Sequence, residues 1–186
     1  PRRKQARRNG RSVASATLDE VREALGAMPL RRDLLIEHLH TLNDRHGQLR
    51  SDHIAALAQL LKLSQVEVYE VASFYHHFDV VREDAQGGFA AAPKLTVRVC
   101  NGLSCELAGA QDLLAKLPKL LGAEVRVLEA PCVGRCEQAP VAVVHQRAVP
   151  QAEAAAVKAL VEKDQRHDAL PDALDMTAYQ AQGGYR

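Results

Sequence analysis

The sequence contains no run approaching the ~18 consecutive apolar residues that a membrane helix needs, so no membrane span is expected. It opens without an apolar h-region, which leaves no secretory signal in view and makes the cytoplasm the default compartment. A first residue of Pro1 points to removal of Met or to trimming. A large net charge is also missing, since 24 Lys and Arg stand against 23 Asp and Glu. Internal repeats are absent. No Ser-His-Asp set, phosphate-cradling loop or pair of catalytic carboxylates can be assigned, so no substrate site is expected in this chain. Cysteine is scarce, with four in 186 residues. None of them forms the Cys-x2-Cys of a thioredoxin-type redox pair or of the usual zinc knuckle.

The charge that is present is unevenly spread. Arg2, Arg3, Lys4, Arg7, Arg8 and Arg11 crowd the first eleven residues and leave the remainder acidic. Residues 1–15 read as a disordered basic arm, a solvated tail without the aromatic interleaving of a nucleic-acid contact, and no nucleic acid is expected as a partner. Residues 16–82 read as a helical bundle. Thr17-Leu-Asp-Glu20 predicts a capping box at its first helix, and Ser64-Gln-Val-Glu67 predicts another at its fourth. Between them lie a stripe of Leu30, Leu34, Leu35, Leu39 and Leu42 closed by Gly47, and a third helix from Ser51 or Asp52 through Ile54, Leu57, Leu60 and Leu61. Residues 83–93 are rich in turn formers and read as a flexible linker.

Residues 94–164 alternate strand and helix signals. They read as strand 94–100, a helix over 106–121, strand 124–129, strand 141–145 with a return through Val149, and a helix over 151–164. The expected fold class is α+β: a helical bundle followed by a small mixed sheet with helices on it, as in thioredoxin-like folds. Residues 165–186 turn polar, with Pro171 and Gly183-Gly184, and are expected to run as an extended exit segment.

All four cysteines lie in the sheet region, as Cys100-x4-Cys105 and, 26 residues later, Cys132-x3-Cys136. Each pair follows a strand, so the two can meet at one edge of a single sheet. A [2Fe–2S] cluster takes two thiolates on each iron, and two close pairs match that demand. Spacing leaves a structural zinc site open as the alternative, and two disulfides are disfavoured in the expected compartment. Gly102 and Gly134 sit inside the two loops, where they let backbone N–H groups approach the sulfurs.

Cys-x4-Cys followed by Cys132-Val-Gly-Arg-Cys136-Glu-Gln-Ala-Pro140 resembles the thioredoxin-like [2Fe–2S] subunit of NADH-oxidising modules, the type of the small iron–sulfur subunit of complex I. His46-Gly47, Ile54–Ala58, Glu67-Val-Tyr69 and Phe74-Tyr-His-His-Phe78 are similar to the helical motif of that family, and the resemblance runs from Leu30 to Asp164. It implies a [2Fe–2S] cluster on Cys100, Cys105, Cys132 and Cys136. It also implies FMN and NAD in a flavin-binding partner region, separate or fused on the C-terminal side, and electron transfer as the activity. The 26-residue gap is shorter than in many complex I relatives.

Tyr179-x3-Gly183-Gly184-Tyr185 looks like the opening of the flavin subunit. Arg32–His40 and His77–Val81 are similar to the fused β subunit of NAD-dependent formate dehydrogenases. That form implies formate as substrate, with a molybdenum or tungsten cofactor in another, iron–sulfur-rich catalytic subunit. The same module in an NAD-reducing hydrogenase or complex I is the nearest alternative. A zinc-stabilised binding module, its basic arm on an anionic partner, is the alternative from another class.

The eight histidines, His38, His40, His76 and His77 among them, are expected at the surface or at interfaces rather than as ligands. Phe74, Tyr75 and Phe78 fall at helical spacing with Val71, which suits core packing. In view of the family, part of that aromatic surface is expected to dock on the flavin subunit.

Overall fold

The computed structural model describes residues 12–168 and 173–185. Most of the basic arm, together with Pro171, lies outside the described residues. The chain is α+β. Its first part holds α1 (Ser15–Leu25), a 3-10 turn (Arg32–Leu34), α2 (Leu35–His46), α3 (Ser51–Leu61) and α4 (Gln65–Phe74). Two-residue strands β1 (Leu49–Arg50) and β2 (Val80–Val81) pair in parallel and tie the bundle's middle to its end. Each helix buries one stripe. Val21, Leu39, Leu42, Leu57, Val68 and Ala72 have no measurable exposure and meet in a common core.

Local chemistry explains most helix ends. Ser64 and Glu67 form the expected reciprocal capping box, and Gly47 closes α2 at φ 69°, a left-handed conformation glycine adopts without strain. The box expected at Thr17 does not form. The helix begins at Ser15 behind Ala14, with no side-chain cap, and Thr17 lies inside it. Glu20 is engaged elsewhere, toward Arg50 and His53 from neighbouring elements. The Leu30–Leu42 stripe is also broken: Leu30 is exposed, and a 3-10 turn precedes α2.

Residues 83–93 carry no regular element. They are held to the bundle, since Gln48 Nε2 donates to the Ala90 carbonyl at 2.8 Å and Gly47 lies against Ala92.

The second part is a four-stranded sheet in the order β4-β3-β5-β6, formed by β3 (Leu95–Cys100), β4 (Val125–Ala130), β5 (Ala142–Val144) and β6 (Arg147–Val149). β3 runs parallel to β4 and antiparallel to β5, the mixed pattern of a thioredoxin-like sheet. Helices α6 (Ala110–Leu121) and α7 (Ala154–Glu162) cover one face through Leu113, Leu117 and Val157.

All six residues of β3 are buried, although its sequence alternates. Leu95, Val97 and Val99 enter the apolar core. On the other face the Arg98 guanidinium donates to the carbonyls of His76 and His77 at 2.9 and 2.5 Å. Arg126 pairs with Asp79 beside it. Polar residues are tolerated under the bundle because each finds a partner there.

Two sequence expectations change in detail. The single helix over 106–121 is two, α5 (Leu103–Leu107) and α6, because Gly109 turns the chain at φ 96°. The segment expected to exit extended contains α8 (Met176–Ala181), capped by Asp175, whose carboxylate accepts from the Ala178 N–H at 2.7 Å.

Candidate metal centre

The parallel pairing of β3 and β4 sets Cys100 opposite Ala130, so the loops that follow both strands emerge side by side. The Cys100 N–H donates to Val141, the Asn101 N–H to Ala130, and the Asn101 side chain to Glu129. The first cysteine loop is thereby fastened on both sides. Cys105 follows on α5, Cys132 sits in the loop after β4, and Cys136 opens a 3-10 turn (Cys136–Gln138). The Ala139–Pro140 bond after that turn is cis.

All four cysteines are free thiols. Cys100 and Cys105 are each 2 % exposed, whereas Cys132 and Cys136 open to the surface, with their sulfurs 3.5 Å apart.

The thiols feel one another. The Gly134 N–H reaches the Cys132 sulfur at 3.4 Å and, with Cys136 next in effect, holds that thiol below its ordinary value. Cys136 is pushed up, first by Cys132. Burial pushes Cys105 up, the Val141 backbone pulls the other way, and Cys100 and Cys136 add to the rise. Gly102 makes the close approach possible. A Cβ there would stand 3.2 Å from the Cys132 Cβ and 3.6 Å from the Cys100 sulfur. Four reduced sulfur donors around a backbone cradle suit a thiolate-ligated iron centre.

Exposed Leu103, Leu107 and Val133 rim this end of the sheet. Phe74 and Tyr75 are exposed as well, beside an apolar hollow of about 420 Å³ between α2 and α4, while Phe78 alone of the three aromatic residues is buried.

The histidines depart from expectation. His38 and His53 are fully buried. Among the described residues, Glu20, His46 and His53 bring ligand atoms within 4.8 Å of one another, as do His40, Asp44 and His77. Sequence offered only one local signal for these groups, the i,i+4 spacing of His40 and Asp44 on α2. The remaining members come together only through tertiary packing, Glu20, His46 and His53 from α1, α2 and α3 and His77 from the turn that follows α4. No helix of the described residues is long and apolar enough to cross a membrane.

Residues 21–165 match the thioredoxin-like [2Fe-2S] ferredoxin family. An NADH-quinone oxidoreductase subunit of Aquifex aeolicus is 28% identical over 135 residues, covering 68% of this chain and 79% of that protein. An NADH-quinone oxidoreductase subunit of Rhizobium meliloti is 29% identical over 153 residues, covering 77% and 86%. Another, from Thermus thermophilus, is 32% identical over 120 residues, covering 60% and 61%. Among solved structures, an air-oxidised NAD+-reducing [NiFe]-hydrogenase overlays with a TM-score of 0.49 at 25% identity. The overlay covers 68% of this chain but only 22% of the hydrogenase chain. With the family matched over most of its length, this chain belongs to the thioredoxin-like [2Fe-2S] ferredoxins.

Proposed function

We propose that this chain is the electron-transfer module of an NAD(H)-oxidoreductase assembly, holding one [2Fe–2S] cluster on Cys100, Cys105, Cys132 and Cys136. The observation that carries the reading is the meeting of four free thiols at the ends of two adjacent parallel strands in a chain of this family. We assign Cys100 and Cys105 to one iron and Cys132 and Cys136 to the other, a division supported by the 3.5 Å separation of the latter pair. A [2Fe–2S] centre on these ligands supplies one-electron redox chemistry.

The protein's own part is threefold. Burial of Cys100 and Cys105 keeps water from the inner side of the site. The Gly134 N–H stabilises negative charge on the Cys132 sulfur, and acidic Glu106, Glu129 and Glu137 nearby oppose it. The outer pair, rimmed by exposed Leu103, Leu107 and Val133, forms the face offered to an electron partner.

That partner is an FMN- and NAD-binding region, separate or continuous with this chain. The finer assignment is an NAD-dependent formate dehydrogenase, in which formate is oxidised at a molybdenum or tungsten cofactor in an iron–sulfur-rich catalytic subunit. It is supported by the likeness of Arg32–His40, His77–Val81 and Tyr179–Tyr185 to the fused β subunit of those enzymes. Exposed Leu174, Met176, Tyr179 and Tyr185 around α8 are consistent with a surface that a neighbouring region covers. NADH-quinone oxidoreductases contain related subunits, as the names of the relatives indicate, and the same module in an NAD-reducing hydrogenase or complex I is the nearest alternative.

The test is an EPR spectrum of anaerobically purified, dithionite-reduced protein, with iron and zinc measured on the same sample. A rhombic S = 1/2 signal with about two irons per chain is expected. A silent spectrum with stoichiometric zinc on sulfur would overturn the redox reading and promote a zinc-stabilised binding module. Turnover of the intact assembly with formate, rather than hydrogen or quinone, tests the finer assignment.

A further inference from the structure

Three helices of the bundle bring nitrogen and oxygen donors to one part-buried point that the cluster does not use. Glu20 comes from the middle of α1, His46 from the last turn of α2 and His53 from the first turn of α3. His53 Nε2 lies 3.3 Å from Glu20 Oε2, and His46 Nδ1 lies 3.8 Å from Glu20 Oε1. The two imidazole rings are 4.5 Å apart. Both nitrogens of His53 and Nε2 of His46 are buried without a well-aligned hydrogen-bond partner. Buried polar atoms are normally satisfied, so the His53 Nε2 that faces Glu20 without a well-aligned partner calls for an occupant.

The geometry points to a divalent-cation site of the zinc class, with Glu20, His46 and His53 as its ligands and a solvent molecule completing the set. Bonds of about 2.0–2.1 Å on a tetrahedral zinc place neighbouring ligands about 3.3 Å apart, and the two carboxylate–imidazole separations of 3.3 and 3.8 Å lie close to that. Two imidazoles and one carboxylate are a familiar zinc set.

Arg50 is the competing cation, 3.6 Å from Glu20. It already makes a two-point contact with Asp52 and keeps that partner when Glu20 turns to a metal. The consequence is structural. The ion fastens α1 to α2 and α3 at their crossing.

The experiment uses the full chain with its cluster assembled. Loosely held metal is removed by brief chelation, iron is checked for retention, Zn2+ is added, and bound zinc is counted after desalting. Zinc K-edge absorption then reads the ligand shell. The expected result is about one zinc per chain with nitrogen and oxygen neighbours near 2.0–2.1 Å. Zinc should be lost in Glu20→Gln and in His46→Ala but kept in His77→Ala, which alters the other histidine group. Zinc should also raise the thermal midpoint of the wild type and leave that of Glu20→Gln unmoved. Glu20 is part-exposed, so its substitution spares the buried rings. Three results would each overturn the inference: no zinc retained, a sulfur shell near 2.3 Å showing zinc on the thiols, or binding that survives Glu20→Gln.

Discussion

Placing a methyl group on Gly102 separates the demands of the cluster from those of the fold. Gly102 has φ −59° and ψ 154°, a conformation open to any residue, so alanine meets no backbone strain there. Its Cβ would lie 3.2 Å from the Cys132 Cβ and 3.5 Å from the Cys132 Cα, whereas carbon–carbon contacts settle at about 3.5–4.0 Å. The two cysteine loops must therefore part by roughly 0.3 Å or more. Metal sites hold their ligands to about 0.2 Å, so the displacement falls on the cluster rather than on the chain.

Gly134 is the counter-case. It sits at φ 78° with nothing within 4 Å of an added Cβ. Alanine there costs about 1 kcal/mol of backbone strain and moves no ligand. Iron per chain, the rate of absorbance loss under chelator and the thermal midpoint are the readouts. Gly102→Ala is expected to lose much of its iron, or to lose it several-fold faster, with nearly unchanged melting of the rest. Gly134→Ala is expected to keep about two irons and to melt about 2–4 °C lower. Gly102→Ala with full iron and a wild-type loss rate would refute the reasoning.

Other outcomes follow from the bundle. Ser64→Ala removes the acceptor of the Glu67 N–H and half of the capping box, and should cost about 1 kcal/mol in denaturant unfolding; a change below the error of the measurement would sink that account. The His77 imidazole is held down at about 4, by burial first and then by Arg98, His40 and His145. Because the folded value lies below the unfolded one, this stability is complete above about pH 6.5 and is lost as pH falls toward 4. After discounting for partial exposure it amounts to about 2 kcal/mol. Thermal midpoints of His77→Phe should accordingly fall less than the wild type between pH 7 and 5, and parallel curves would exclude His77 as the group responsible. Phe74→Asp and Tyr75→Asp should leave the isolated chain folded and weaken its co-elution with the flavin partner in gel filtration. An unchanged assembly would remove this surface from the interface.

Much of this architecture is written locally. The Ser64–Glu67 box, the Gly47 stop and the apolar runs of β3 and β4 each depend on neighbours within a few residues, and these elements stand where their local signals are. The cysteine spacing likewise announces a four-thiol site, because ligand pairs on short loops stay close whatever the rest of the chain does.

What failed to be legible depends on distant partners. Glu20 leaves its helix's N-terminus for His53 and Arg50, contributed by residues 30 or more positions away, so the first capping box never forms. Arg98 alternates in sequence as a solvent-facing residue, yet it is buried because the His76 and His77 carbonyls arrive over it. The histidines that read as surface residues meet as two ligand-like groups only where distant elements pack together.

Sequence by itself therefore determined most of the secondary elements, the resemblance to the family and the paired spacing of the four cysteines. Only the tertiary structure decided which thiols are buried, which carboxylates face which imidazoles, and how the bundle caps the sheet. Those follow from the crossing of elements far apart in the chain, and no local pattern encodes them.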